Sequence, residues 1–432
     1  MGTALYYLKK LIPGVLLKLL RPPYHYLLAI FGAVIYRFPS RDITVIGVTG
    51  TKGKSSVVEL LNAILEADER RTAAVSTIRF KVGEKSERNL YKMTMPGRLF
   101  IQRFLREAVD GGCEVAIIEM TSEGVKQHRH AFVELDALVF TNISPEHIES
   151  HGSYEKYIAT KLQLARALEQ SKKRPRFVIA NADDEHGADF LSARVEHSLP
   201  YALSDLELYT LNKDDISMVV DGTTLRVPLI GQFNVYNTLA AMTAARAFGV
   251  SLPVISKAIA HLPPIRGRVE RLFSPKGASK KITAVVDYAH TPDSLLKLYQ
   301  AFPKETKICV LGNTGGGRDT WKRPEMGRIA SEHCAEVILT NEDPYDEDPR
   351  GIVEDMVRGI EDDTKLKIIM DRREAIRTAL RDAPSGAVVL ITGKGTDPYI
   401  MGPHNTKTPW SDAKVVRQEM NALFANNVRV DT

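Results

Sequence analysis

Cysteine is scarce. Cys113, Cys309 and Cys334 are scattered over 432 positions, with no pair at metal-ligand spacing. That excludes a four-cysteine zinc ribbon and predicts no disulfide framework, hence a reducing compartment. Long apolar runs are also missing. The longest, Tyr26 to Tyr36, lies between His25 and Arg37 and falls well short of the ~20 residues a membrane-spanning helix needs. It is followed by Arg37-Phe-Pro-Ser, which offers no small-residue cleavage site of the kind a signal peptide requires. The chain body lacks a charge bias. Six basic residues and no acidic one precede Asp42, so the remainder holds 52 basic and 53 acidic residues against a whole-chain net charge of +5. A neutral body gives no reason to expect nucleic acid. No internal repeat or low-complexity tract is present.

What is there reads as a folded α/β protein long enough for two or three domains. Residues 1–41 are apolar, aromatic and basic. Two readings of them stay open: an interfacial anchor with cations facing anionic lipid, or a helical pair split by Pro22-Pro23 and packed on the body. From 42 to 264 strands alternate with helices, and Val115–Glu119, Ala137–Thr141 and Arg176–Asn181 read as buried parallel strands. Ligands in such sheets sit beyond the strands' carboxyl ends, where Glu119, Asn142 and Asn181 fall. Asp221-Gly222 reads as a hairpin turn. Pro263-Pro264 marks a boundary. From 265 to 432 the α/β rhythm resumes, with strands expected at 282–287, 307–312, 336–340, 367–370 and 387–392.

The most informative stretch is Ile43-Thr-Val-Ile-Gly-Val-Thr-Gly50-Thr51-Lys52-Gly53-Lys54-Ser55-Ser56, followed by apolar residues at helical spacing. Strand, glycine-rich loop and helix in that order form a phosphate cradle. Backbone N–H groups and the helix N-terminus face the anion, Lys54 reaches the outer phosphates, and Ser55 offers a hydroxyl to Mg²⁺. Gly47 stands six residues before Gly53, one more than the strict P-loop spacing.

Glu119, ending a strand, is placed to share that Mg²⁺. His147, in the loop Thr141-Asn-Ile-Ser-Pro-Glu146-His147, is a candidate metal ligand. Lys161 lies on a helix expected over 154–168 with Ile158, Leu162, Ala165 and Leu168 inward; taken alone, it reads as a surface lysine. Asn234 and Asn237, one turn apart, can hydrogen-bond a flat heterocycle, with helix capping by Asn234 as the plainer reading. In the second half Asp287-Tyr-Ala-His290, the loop Gly315-Gly-Gly-Arg318 and Gly393-Lys394-Gly395 each follow a strand, which points to one site there.

In combination these motifs resemble the Mur ligase family, and within it the MurE branch of UDP-N-acetylmuramoyl-tripeptide synthetases. The match runs in order from about residue 42 through Thr94-Met-Pro96, Glu119-Met-Thr-Ser122, Tyr157-Ile-Ala-Thr-Lys161, Gly231–Asn237, Val286–Asp293, Gly317–Pro324, Asn341-Glu-Asp343-Pro344 and Gly393-Lys394-Gly395. The resemblance implies a P-loop-type central ATPase domain with a mostly parallel sheet and a Rossmann-like C-terminal domain. It implies ATP, two Mg²⁺ ions, a small-molecule amino acid and a muramoyl-peptide acceptor, in a cytoplasmic monomer. Under it Gly50 to Ser56, Asn234, Asn237, Asp287 and Arg318 meet nucleotide. Ser55, Glu119, His147 and Lys161 hold metal, Lys161 matching the lysine that family members carbamylate. Thr94, Pro96, Ser122, Arg129, His290, Asp343, Pro344, Gly393 and Lys394 line the substrates.

The chain also departs from the family pattern. Lys52 and Glu146 replace the usual asparagine and aspartate, and Thr396-Asp397 replaces His-Glu. Tyr345 replaces the arginine of diaminopimelate-adding members. The usual N-terminal uridine-binding domain is expected to be absent or reduced, which admits a lipid-linked acceptor. Folylpolyglutamate synthase, cyanophycin synthetase, a MurT-like subunit and an inactive nucleotide-binding scaffold stay open as alternatives.

Overall fold

A computed structural model describes residues 14–424 apart from 147 and 318, with side chains from residue 23 onward. The chain divides into two units. The first runs to Pro228 and resumes over Phe233–Leu262; the second comprises Leu229–Gln232 and the chain from Pro263.

In the first unit eight strands form one sheet: β1 (Thr44–Thr49), β2 (Thr72–Val75), β3 (Arg79–Val82), β4 (Lys85–Arg88), β5 (Val115–Glu119), β6 (Ala137–Phe140), β7 (Phe177–Asn181) and β8 (His197–Tyr201), in the order β4-β3-β2-β5-β1-β6-β7-β8. β1, β2 and β5–β8 pair parallel, while β3 and β4 join antiparallel at one edge. The central strands are apolar along their whole length because helices cover both faces: Val45, Ile46 and Val48 of β1 are fully buried, as is β5 from Ala116 to Ile118. β1 sits between β5 and β6, so its carboxyl end opens where the chain leaves the sheet in two directions, the position at which such sheets bind ligands. β4 differs from the rest. It is Lys-Ser-Glu-Arg, exposed at every position.

A second, three-stranded sheet contains β9 (Leu208–Leu211), β10 (Ile216–Val220) and β11 (Thr223–Val227). β10 and β11 are joined by the expected Asp221-Gly222 turn, both residues at positive φ, as a two-residue hairpin of that hand requires.

Helices α1 (Gly14–Ile35), α2 (Lys54–Ala67), α3 (Arg98–Asp110), α4 (Tyr154–Gln170) and α5 (Gln232–Ala247) follow the pattern of apolar residues. α1 corrects one expectation. It continues through Pro22-Pro23, which were read as a break; two missing amide donors weaken a helix without having to end it. Its inner face, Ala29, Gly32 and Ala33, packs on α3, where a Cβ at Gly32 would stand 3.1 Å from the Leu99 side chain. Among the described residues no helix is long and apolar enough to cross a membrane.

The second unit holds six strands, β12 (Glu270–Phe273), β13 (Thr283–Val286), β14 (Lys307–Leu311), β15 (Glu336–Leu339), β16 (Leu366–Ile368) and β17 (Val388–Ile391), ordered β12-β13-β17-β14-β15-β16. Five are the strands expected from sequence. β12 was missed: Glu-Arg-Leu-Phe carries too little apolar signal, and it runs antiparallel at the edge. The cysteine reading is also corrected here, because Cys309 and Cys334 are disulfide-bonded. Cys309 lies on β14 and Cys334 ends α6 (Lys322–His333). A β–α–β crossover returns the chain beside its start, so residues 25 apart in sequence become neighbours, a closeness that spacing alone does not show. Cysteine usage therefore no longer argues for a reducing compartment. Cys113 is free and buried.

Candidate phosphate-binding and acceptor site

The loop after β1 is shaped by the residues that follow β6. Thr51 N–H donates to the Asn142 carbonyl at 2.7 Å, Lys52 N–H to Asn142 Oδ1 at 2.9 Å, and Thr141 Oγ1 to the Lys52 carbonyl at 2.7 Å. Thr51 Oγ1 also meets the buried Tyr157 hydroxyl at 2.9 Å. Gly53 begins α2 at φ +84°, and a Cβ there would lie 2.3 Å from Asn237 Oδ1. Only glycine suits that backbone and that space.

Two lysines converge on one carbonyl. Lys54 Nζ donates to Gly50 O at 3.0 Å and to Thr51 O at 2.9 Å, while Lys161 Nζ donates to Gly50 O at 2.7 Å. Lys161 is 1% exposed, which overturns the surface-lysine reading. α4 turns Tyr157, Lys161, Leu164 and Leu168 inward, leaving Ile158 and Leu162 only half-buried. Burial pushes the Lys161 ammonium well below its ordinary pKa, and the Lys54 charge adds to the shift. A lysine so placed favours the neutral amine.

Ser55 Oγ donates to Glu119 Oε2 at 2.9 Å, both residues being buried. Ser55 thus meets the strand-end carboxylate across β1 and β5, as expected. Glu119 is held further by Thr77, whose N–H donates at 2.8 Å and whose hydroxyl donates at 3.2 Å. Thr77 was not singled out by sequence; a polar Ser76-Thr77 pair directly after an apolar strand was the available signal. Its hydroxyl meets that of Thr94 at 2.8 Å, so Thr94 is linked to the Glu119 carboxylate through one intervening hydroxyl.

Lys52 and Glu146, two departures from the family pattern, meet in an ion pair at 3.1 Å. His147 lies outside the described residues. Ser56 is buried in the first turn of α2, and Asn234 and Asn237 are buried within α5. Asn237 Nδ2 donates to Asn234 Oδ1 at 2.9 Å; Asn234 stands inside the helix and is not its cap.

Of the remaining first-unit residues, Arg129 and Pro96 lie beside the Thr94 loop. Arg129, 8% exposed, donates to the Met95 carbonyl and, at 2.8 Å, to Gln127 Oε1, while its Nε has no hydrogen-bond partner among the described residues. Pro96 follows in the same loop, half-buried. Ser122 begins the short helix after β5 and meets His151 Nε2 at 3.2 Å.

In the second unit the expected residues gather at the carboxyl ends of β13, β15 and β17. Asp343 accepts both of its carboxylate bonds from Lys394 Nζ at 2.8 Å, plus Met401 N–H, and Lys394 is fully buried. Gly393 lies against Glu342, and Pro344 is buried beside them. Burial raises the Glu342 carboxyl above its ordinary range. Asp287 accepts from the backbone of Val269 and Ala289, each at 2.7 Å. His290 packs its ring on Tyr288 at 4.7 Å. Arg318 lies outside the described residues.

A glycine-rich turn between a buried parallel strand and a helix, with lysines and a hydroxyl–carboxylate pair at its mouth, is the arrangement of a nucleotide-phosphate-binding α/β protein. The Mur ligase middle domain matches residues 48–245, and the Mur ligase glutamate ligase domain matches residues 267–395. The chain belongs to the Mur ligase family. It is 35% identical over 425 residues to the UDP-N-acetylmuramyl-tripeptide synthetase of Roseiflexus sp. (strain RS-1), covering 92% of this chain and 82% of that one. It is 30% identical over 385 residues to the UDP-N-acetylmuramoyl-L-alanyl-D-glutamate–2,6-diaminopimelate ligase of Listeria monocytogenes serotype 4b (strain F2365), covering 86% and 77%. A solved structure of a ligase of the latter name superposes with a TM-score of 0.58 at 28% identity, over 88% of this chain and 78% of the other. Mycobacterium tuberculosis folylpolyglutamate synthase shares the fold, with a TM-score of 0.68 at 17% identity over 85% and 92%.

Proposed function

We propose that this protein is an ATP-dependent carboxylate–amine ligase that adds one amino acid to a muramoyl-peptide in peptidoglycan precursor synthesis. The observation that carries the reading is the buried Ser55–Glu119 pair beside the Lys54 and Lys161 amines. Ser55 and Glu119 are hard oxygen donors, and Mg²⁺ is commonly held by one or two such side chains plus substrate phosphates. They fit the first ion; His147 and Lys161 are assigned to a second. Burial pushes the Lys161 ammonium well below its ordinary pKa, which favours the free amine that takes up CO₂ with loss of a proton to become a carbamate, an anionic oxygen ligand. Bound Mg²⁺ supplies charge neutralisation on the transferring phosphoryl group.

The roles then follow. The loop N–H groups and Lys54 orient the triphosphate, and Asn234 and Asn237 meet the base. Thr94 and Arg129 align the acceptor, with Pro96 and Ser122 beside them. The acceptor carboxylate oxygen attacks the γ-phosphorus and ADP leaves. The amine nitrogen then attacks the acyl carbon, loses a proton, and phosphate departs. Asp287 and Arg318 are assigned to nucleotide; His290, Asp343, Pro344, Gly393 and Lys394 shape the amine side. Tyr345 stands where diaminopimelate-adding members carry arginine, so an amine without a second carboxylate, such as lysine, is the first to test. The protein acts as a cytoplasmic monomer with peripheral membrane contact through residues 1–41.

Phosphate release from Mg-ATP, screened over amino acids with muramoyl-dipeptide acceptors, tests the reading. Release that needs both acceptor and amine supports it, and Glu119→Gln is expected to abolish that release with the fold intact. No release with any combination favours a nucleotide-binding scaffold.

A further inference from the structure

The outward side of α1 is apolar from Tyr24 to Ile35. Tyr24, Leu27, Phe31, Val34 and Ile35 recur at helical spacing and are 49–63% exposed. Leu99, on α3 beside Gly32, extends the surface at 40% exposure. Contiguous patches of this kind mark contact with a partner or a lipid surface. Charge distinguishes them here. Lys9, Lys10, Lys18 and Arg21 precede the exposed stripe in sequence, Arg37 and Arg41 follow it, and no acidic residue occurs before Asp42. An apolar stripe flanked in sequence by cations and by no anion complements an anionic bilayer.

α1 is also joined to the acceptor side of the site. Its His25 ring meets Arg98, whose Nε donates to the Gln127 carbonyl at 3.0 Å and whose Nη2 donates to Gln127 Oε1 at 3.2 Å. Gln127 Oε1 accepts in turn from Arg129, which holds the Met95 carbonyl next to Thr94. Tyr26 packs its ring on His128 at 5.7 Å and on Phe132 at 5.4 Å. Three polar side chains, Arg98, Gln127 and Arg129, therefore link the helix to the loop assigned to the acceptor. In that loop Leu90, Tyr91 and Met93 are 42–52% exposed.

We infer that the outward face of α1 lies on an anionic bilayer, and that the acceptor is a muramoyl-peptide attached to a lipid held at that surface. The inference rests on the ligase reading above for its substrate class, and on the α1 surface for its location.

The experiment uses the full chain and two vesicle preparations, one of phosphatidylcholine alone and one with a third phosphatidylglycerol. Co-sedimentation is expected with the anionic vesicles and not with the neutral ones. The double variant Leu27→Glu/Phe31→Glu is expected to lower vesicle affinity at least tenfold, with an unchanged melting curve and unchanged turnover of soluble muramoyl-dipeptide. Lipid-linked muramoyl-dipeptide in those vesicles should show a kcat/KM at least tenfold above the soluble acceptor for the unaltered chain, and lose that advantage in the variant. Preference for the soluble acceptor, absence of vesicle binding, or concentration-dependent self-association that the variant abolishes would each overturn the inference. Soluble-acceptor turnover without vesicle binding leaves the ligase reading standing; no turnover of either acceptor removes both.

Discussion

Lys161 is where burial changes chemistry most. An ammonium on the surface of α4 would be an ordinary cation, whereas this one faces the Gly50 carbonyl with almost no water beside it. Lys161→Gln keeps the length and a hydrogen bond but cannot be carbamylated. Its kcat is expected to fall by about a hundredfold or more, with melting behaviour retained and no response to added bicarbonate. A second residue-scale test concerns His130, whose pKa is lowered to about 4 by burial first and by the His128 charge second. The folded chain holds this ring neutral, while the unfolded chain protonates it near the ordinary value of 6.5. Protons are therefore taken up on unfolding, and the stability this ring contributes is full at neutral pH and lost as pH falls from about 6.5 towards 4. Denaturation midpoints measured across that range should drop less steeply in His130→Asn. The roles of single residues were the least legible in the sequence. Lys161 carried no sign of burial because Ile158 and Leu162 pulled the inferred helix face round by about one position.

Between elements, the pair Lys52–Glu146 links the phosphate loop to the segment after β6. Each residue read separately is a departure from a family pattern; together they place opposite charges 3.1 Å apart. Their complementarity was invisible in sequence because 94 positions separate them. Lys52→Asn takes this ammonium from a carboxylate that is 6% exposed, and is expected to cost about 1–2 kcal/mol in unfolding free energy. Adding Glu146→Asp should recover at least half, a coupling that a double-mutant cycle by urea titration reads directly. The β10–β11 turn gives a contrasting case, legible from two letters. Gly222 sits at φ +69° in open space, so Gly222→Ala is expected to cost about 1 kcal/mol through backbone strain alone, with activity kept.

Each unit has its own hydrophobic core, one around β1, β5 and β6 and others around β13, β14 and β17. This level was the most legible. The central strands β1, β5, β6 and β7, the strands β13–β17 and the Asp-Gly hairpin follow from short-range patterning, whereas β2–β4, β8, β9, β12 and the Cys309–Cys334 bridge depended on contacts that patterning does not encode. A ligand bound by the folded chain alone raises its stability by about 2.7 kcal/mol at a hundred times its Kd. Mg-ATP should accordingly raise the melting temperature seen by calorimetry, and Ser55→Ala should abolish most of that rise; an equal rise in the variant would remove Ser55 from the site. The eight-stranded sheet also ends on β4, whose Lys-Ser-Glu-Arg leaves one flank of main-chain donors and acceptors guarded by charge. Strand rims of that composition resist docking rim to rim, so concentrated solutions should remain free of fibrils. Exchanging those four letters for Val-Thr-Val-Thr would turn the same rim into a template on which one molecule seeds the next.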